Sequence, residues 1–561
     1  MQYDFQQGDQ KMKLRILSIL VLIILNPAIY SFGFAQTDAA NIIIENRIDE
    51  LWTTGKLNTG NANIASKHWL PGLYERNDFK LLWQNPQNVT DLLTDVGKIA
   101  EDGLDPEDYH LSQLLVLKLR LDERKSPDPS LLADYDILLT DSLVRLLYHI
   151  QFGKVDPESL DPAWNMTRQV HNKNPVAAIE KRLHTGSLAE GLKNIRPKIE
   201  YYQLLKTVLK KYREIQDAGG WEAVPEGPTL KPGMTDQRIP LLRKRLSVSG
   251  EFEGAVTDSK NYDEDLKAAV MRFQYRYRLE ADGAVGKNSY AALNIPVKAR
   301  IDQIRVNLER GRWVFHKLPP DFIAVDIAGF RAYHYEGLNR TWSSKVQVGK
   351  PYRKTPAFRS KIKYIVFNPA WTVPPTILEK DILPKIKKNP GYLSKMKISV
   401  IDRKGRRVDP KSVNWSKYSK SVPYTLRQEP GPHNALGRIK FIFPNKYFIY
   451  MHDTPSRSLY GRQDRAFSSG CIRVEKNIEL TELLLNDPEK WNRESIQKVL
   501  DTNETRRVNL PQPKTVMLIY ATIRFDDDDN YIFKKDIYGR DRQVLDGLNE
   551  EFTIWQTRAI K

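Results

Sequence analysis

His452 and Cys471, 19 positions apart, are the residues of this chain best suited to covalent chemistry. Cys471 is the single cysteine among 561 residues and sits in Phe467-Ser468-Ser469-Gly470-Cys471-Ile472-Arg473-Val474. One thiol forms no internal disulfide and builds no thiolate zinc site. Its neighbours are small and polar, with a glycine directly before it, which describes a tight, accessible turn. A cysteine kept for packing would have apolar neighbours on both sides. An imidazole beside a thiol can take its proton, and the thiolate is then a nucleophile for acyl transfer. The pattern predicts that His452 ends a strand. It places Cys471 in a turn leading into a helix that begins near Val474, where the positive potential of the helix start would favour the thiolate. The backbone N–H groups around Ser469, Gly470 and Cys471 are the candidate oxyanion hole, because Gly470 admits a close approach.

The start of the chain points to export. Lys11, Lys13 and Arg15 precede an apolar run from Ile16 to Leu25, which Asn26 and Pro27 break. Gly33-Phe34-Ala35 offers a cleavage site before Gln36, giving a signal peptide over 1–35 with Met12 as an alternative start. The run is short of the roughly 20 residues of a membrane span. An uncleaved inner-membrane anchor is the competing reading, and it is the only membrane contact expected. No cysteine directly follows the run, so a lipoprotein anchor is excluded. Outside the cytoplasm an unpaired thiol risks oxidation, and it is easier to understand if it does chemistry.

Length predicts three or four units rather than one core. Hydrophobic residues at 41% and charged residues at 28% are ordinary for globular protein, so no large disordered part is required. The net charge of +18 is uneven: residues 351–420 hold 18 Lys and Arg against four acids. That block is either a solvated face or a surface for an anionic polymer. Nothing resembles a nucleic-acid module.

Stepping along the chain, residues 40–225 read as a helical scaffold, with apolar helical spacing over Val89–Glu101, Ala133–Tyr148 and Leu192–Ala218. A Pro- and Gly-rich linker follows. Residues 236–296 then read as a compact helical unit, with Ile239–Leu246 and Asp263–Tyr277 amphipathic, Gly283 in a left-handed turn and Ser289 capping the last helix. From residue 300 the texture becomes short strands, including Phe322–Ile327, Tyr364–Asn368 and Tyr447–His452. Val516–Phe525 and Asn530–Lys534 read as a late hairpin around Asp526–Asp529. That tetrad lacks the ligand spacing of a calcium loop. No metal or cofactor is expected.

Two family likenesses follow from these residues. Ala269–Gln274 with Asp282–Gly286 resembles the three-helix peptidoglycan-binding domain. His452-Asp453-Thr454-Pro455 with Ser468–Arg473 closely resembles the signature of the L,D-transpeptidase catalytic domain, supported by Val348-Gly349-Lys350, Thr355-Pro356, Asn368–Pro375 and Gly431–Gly437. The arrangement resembles the large subclass of Gram-negative envelopes. Many members carry histidine two residues before the cysteine, where this chain has Ser469.

The resemblance implies a multidomain α+β chain: scaffold, peptidoglycan-binding-like unit, a mainly β catalytic domain over 300–510 with a cap inserted at about 377–428, and a C-terminal hairpin and tail over 511–561 packing on that domain. It implies that Cys471 attacks the third residue of a tetrapeptide stem, expels D-alanine and passes the acyl group to a diaminopimelate amine, with His452 as general base. Gly470 and Ser469 would supply the oxyanion hole, while Arg473, Tyr450, Trp371 and Asn368 would contact substrate. Tyr450 lies two positions before His452 and shares its face, whereas Asp453 points away. Implied partners are peptidoglycan stem peptides and cell-wall synthesis proteins; the implied location is a Gram-negative periplasm, and the implied inhibitors are carbapenems. A water acceptor would make the chain a carboxypeptidase, and a lipoprotein lysine would make it an anchoring enzyme. The non-enzymatic alternative is a catalytically silent wall-binding scaffold.

Overall fold

Short side-chain caps followed by proline set the helix starts of the N-terminal half. Asn85 accepts from the Gln87 amide at the head of helix Pro86–Lys98, and Asp128 accepts from the Ser130 amide at the head of helix Pro129–Phe152. Proline at the first helical position loses no hydrogen bond, since that N–H has no intrahelical partner. The computed structural model describes residues 34–551, apart from Lys56, Asn58, Gly60, Asn61, residues 124–127, most of 168–186, Lys317 and Pro390. The expected signal peptide therefore lies outside the described residues, except where helix Phe34–Thr54 begins. Helix Pro129–Phe152 is buried along most of its length and forms the middle of the first core. The helical stretch expected over Leu192–Ala218 is two helices, Leu188–Asn194 and Glu200–Asp217. Pro197 lies between them and cannot donate to a helix ladder.

The next unit has helices Ile239–Ser249, Glu264–Arg276 and Lys287–Leu293. Asp263 caps the second, and Gly283 is left-handed as expected. Gly286, not Ser289, stands at the cap of the third; Ser289 is buried inside its first turn. These helices share a core with helix Glu200–Asp217 and helix Val297–Val314. Residues 297–314, expected to open the β region, are thus part of the helical body.

Fifteen strands follow among the described residues. Those of the main sheet are β1 Asp321–Asp326, β2 Arg331–Glu336, β3 Asn339–Gly349, β4 Phe358–Phe367, β9 Ile439–Ile442, β10 Met451–His452, β11 Ala466–Ser468, β12 Ile472–Val474 and β13 Arg506–Ile519. Their order is β11-β3-β12-β10-β9-β4-β13-β1-β2, and β2 also pairs with β3, so the sheet closes on itself. Inward positions carry Ile323, Val346, Ile365, Phe441, Met451, Ile472 and Val516 as one core. Between β4 and β9, a separate sheet forms from β5 Trp371–Thr372, β6 Ile398–Ile401, β7 Arg407–Val408 and β8 Thr425–Gln428. It has its own core around Leu383, Ile386, Val400 and Trp415.

Two expectations at the strand level change. The strand expected over Tyr447–His452 is only β10, because Asn445 captures the backbone before it, accepting from the amides of Tyr447 and Ile449 and donating to the Ile449 carbonyl at 2.7 Å. The late hairpin is shorter than expected, β14 Ile523–Phe525 with β15 Tyr531–Phe533, because Val516–Ile519 belongs to β13 between β4 and β1. Nor does the C-terminal segment pack on the β region alone. Ile523, Tyr531 and Phe533 join the core of the three-helix unit, and Val544 and Leu548 join the N-terminal core. Among the described residues, no helix is long and apolar enough to cross a membrane.

Candidate active site

Strand register assembles the site. Met451 pairs with Phe441 on β9 and Ile472 on β12, while His452 pairs with Lys440 and Arg473. Arg473 in turn pairs with Gln347 of β3. Side chains alternate across a strand, so Phe441, Met451 and Ile472 enter the core while Lys440, His452, Arg473 and Gln347 form a row on the other face. The Ile472 amide donates to the Tyr450 carbonyl at 3.0 Å, which continues the register and sets Cys471 beside Tyr450. The expected helix start at Val474 is corrected here. Cys471 leads into β12, and the helix, Asn477–Leu485, begins further on. No helix N-terminus stands at the thiol.

The thiol is half-buried, with Sγ 3.7 Å from the Phe448 carbonyl oxygen. Burial pushes its pKa up, against the opposing pull of hydrogen bonding from Tyr450 and of the Lys440 and Arg473 charges. His452 is buried, and its Nδ1 lies 2.5 Å from the Asp453 carbonyl oxygen. A carbonyl only accepts, so Nδ1–H donates and Nε2 keeps its lone pair. Burial first, then the Arg473 guanidinium, push His452 down to about 3. At rest Cys471 is therefore a thiol and His452 a neutral imidazole protonated at Nδ1, the tautomer a general base would need. Asp453 contributes this carbonyl; its carboxylate instead holds the Arg438 amide and the Asn477 side chain.

Two glycines let the nucleophile loop approach β3. A Cβ on Gly349 would collide with the backbone at Arg353 and Thr355, and Gly470 has φ +119°. Thr355 Oγ1 bridges them, accepting from the Gly349 amide at 2.9 Å and donating to the Gly470 carbonyl at 2.8 Å. Ser468 Oγ donates to the Cys471 carbonyl at 2.6 Å and accepts from the Gly470 amide at 3.1 Å. That last bond corrects the expected oxyanion hole: the Gly470 N–H is engaged in the resting loop. No described hydrogen bond engages the amide of Ser469 or Cys471. Arg353 donates to Ser469 Oγ at 2.8 Å and also pairs with Asp381, tying the nucleophile loop to the helical segment Leu378–Ile382 of the insert.

Two expected substrate contacts are buried. Asn368 is fully buried, with φ +46°, and its amide donates to the carbonyls of Val499 and Glu504 at 3.0 and 3.3 Å. Trp371 lies in the core of the inserted sheet. Arg473 and Tyr450 do stand with His452 and Cys471. Lys440 was missed: its Nζ sits 3.8 Å from the centroid of the Tyr450 ring. The alternation Ile439-Lys440-Phe441 would place it opposite to the core, but only the register brings it to the thiol.

Residues 320–490 match the family model of the L,D-transpeptidase catalytic domain. Over that stretch the chain is similar to the L,D-transpeptidase catalytic domain. Residues 68–209 match a scaffold domain and 235–293 a peptidoglycan binding domain. A Haemophilus influenzae protein named as an L,D-transpeptidase is 37% identical over 228 residues, 40% of this chain and 46% of that relative. The chain thus spans about half the length of the curated relative it matches. Among solved structures, an L,D-transpeptidase from Stackebrandtia nassauensis is 14% identical with a TM-score of 0.20, covering 52% of this chain and 94% of its own. One from Xylanimonas cellulosilytica is 12% identical with a TM-score of 0.14, covering 53% and 99%. The expected order holds: a helical region first, then a mainly β region, which includes the residues similar to the L,D-transpeptidase catalytic domain.

Proposed function

We propose that this chain is a peptidoglycan L,D-transpeptidase working through a Cys471 acyl-enzyme, exported to the periplasm. The observation that carries the reading is the register that sets Cys471 beside Tyr450 and His452 beside Arg473 on one face. As Sγ bonds to the carbonyl carbon of the third stem residue, the thiol proton passes to His452 Nε2. The C–N bond to D-alanine then breaks, and the imidazolium returns that proton to the leaving amine. In the second half, a diaminopimelate side-chain amine gives a proton to His452 and its nitrogen bonds to the acyl carbon. The C–S bond breaks and the thiol is restored. The amides of Cys471 and Ser469 receive the developing oxyanion, a role whose loss typically costs about 100- to 1,000-fold. Arg473 orients a substrate carboxylate. Lys385, Lys387 and Lys388, on the insert's helix Leu383–Lys388, draw anionic stems toward the site, the insert acting as a cap.

Mass spectrometry of the protein with a diaminopimelate-containing disaccharide tetrapeptide, beside Cys471→Ala, tests this. The expected result is a thiol-dependent dimer lacking one D-alanine. Tripeptide without dimer would make the enzyme a carboxypeptidase. Untouched substrate with an intact fold would sink the enzymatic reading.

A further inference from the structure

A cavity of about 360 Å³ lies across the barrel from the thiol. It opens against β1, which is four strands from β10 in either direction round the closed order, through β9, β4 and β13 or through β12, β3 and β2. Phe322, Tyr333 and Tyr335, the outward residues of β1 and β2, wall one side; Tyr201 and Phe525 wall the other. The rings hold one another in place. Phe322 and Tyr335 stack with centroids 5.2 Å apart and planes 17° apart, and Tyr201 meets Phe525 edge-on at 5.6 Å. At the floor, Lys534 Nζ lies 2.9 and 2.8 Å from the two Asp326 oxygens, which closes that charge off as a pair. At the mouth, Leu338 is 70% exposed and Arg340 pairs with Asp527 of the hairpin tip.

This combination selects a chemistry. Ordered tyrosine and phenylalanine faces suit the C–H faces of a flat ring, and tyrosine hydroxyls with carboxylates suit ring hydroxyls and an acetamido group. The lining charges are Arg340, Arg524 and Lys534 against Glu200, Asp326, Asp526, Asp527 and Asp529, three cations against five carboxylates. That excess repels an acidic stem peptide and leaves a neutral sugar as the better guest. The volume falls in the range of about 300–1,000 Å³ usual for small-ligand sites.

We propose that this cavity is a glycan site for a neutral N-acetylhexosamine oligosaccharide, separate from the thiol site and able to hold a sugar strand at the junction of the scaffold, the hairpin and the barrel. The choice of sugar rests on reading peptidoglycan as the substrate. Calorimetric titration of the full chain with N-acetylglucosamine tetramer tests it, in wild type, Tyr335→Ala and Leu338→Asp. The exposed Leu338 makes no core contact whose loss would unfold the chain. Both variants are expected to weaken binding about tenfold while turnover of the small disaccharide tetrapeptide stays at the wild-type rate. Equal binding in all three proteins, or no binding by wild type at millimolar sugar, overturns the site. A sugar-free tetrapeptide that binds and is lost in Tyr335→Ala would overturn the glycan assignment in favour of a peptide. Failure of turnover in wild type alone would count against the transpeptidase reading and leave the sugar titration readable.

Discussion

His452 and Arg473 are register partners across the parallel pair β10–β12, so a permanent cation stands beside the imidazole on the same face. Burial and this guanidinium together hold His452 down to about 3. A cysteine enzyme that kept a thiolate–imidazolium pair at rest would need the reverse, a neighbour that favours the charged ring. In the proposed reaction the proton would move only when substrate is in place.

Arg473→Gln should raise the His452 pKa, since the second cause of its depression is gone. An unfolded histidine titrates near about 6.5, so between that value and about 3 the unfolded chain binds the extra proton. His452 therefore adds stability that is full above about pH 6.5 and is lost as pH falls toward its folded value. In Arg473→Gln that window shrinks from its acid end, and less stability is lost on acidification. Urea unfolding at about pH 7 and about pH 4.5, with NMR titration of the ring, reads both effects. An unchanged titration would leave burial and the Lys440 charge as the causes.

Lys440→Met should make the thiol less acidic. The Lys440 charge opposes the burial that pushes the Cys471 thiol up, and its removal takes away thiolate stabilisation. Alkylation by iodoacetamide at about pH 8 should slow by about 3- to 10-fold, tenfold being one unit of thiol pKa. Equal labelling rates would disconnect Lys440 from the nucleophile.

Asn368→Ala separates a structural role from a binding one. Loss of the bonds to Val499 and Glu504 should cost about 1–3 kcal/mol of stability. The folded fraction should turn over substrate with an unchanged KM. A raised KM without destabilisation would return Asn368 to the substrate.

Charge reversal at Lys385, Lys387 and Lys388, all exposed, should leave Tm unchanged while raising KM by about 3- to 10-fold at low salt. The difference should shrink as salt screens the surface. Equal KM values at every salt concentration would remove the cap from substrate capture.

The residues that do local work were readable from sequence. Asn85-Pro86 and Asp128-Pro129 announce helix starts because cap and proline act within one turn of themselves. The thiol motif was readable for the same reason: small residues around Cys471 report a tight turn wherever it folds. The burial of Asn368 and Trp371 was not readable, because neighbouring phrases say nothing about depth. Both lie beside the strand ends near the insert, yet one is sealed under Val499 and the other enters a core of its own. The short β10 failed because the Asn445 side chain takes the backbone partners that alternation alone would give to a strand.

By itself the sequence determined the candidate nucleophile and candidate base, the order of helical region before β region, and the basic block, since composition and short-range spacing carry all of these. Tertiary structure alone decided what surrounds the thiol. Lys440, Arg473 and Gln347 come from three strands and Tyr450 from the segment leading into β10, and their meeting depends on hydrogen-bond register between separate segments, Gln347 standing more than a hundred residues before Arg473. Shifting one strand by a single residue would turn its side chains to the core, so the charge state of His452 and Cys471 is a property of pairing rather than of either motif.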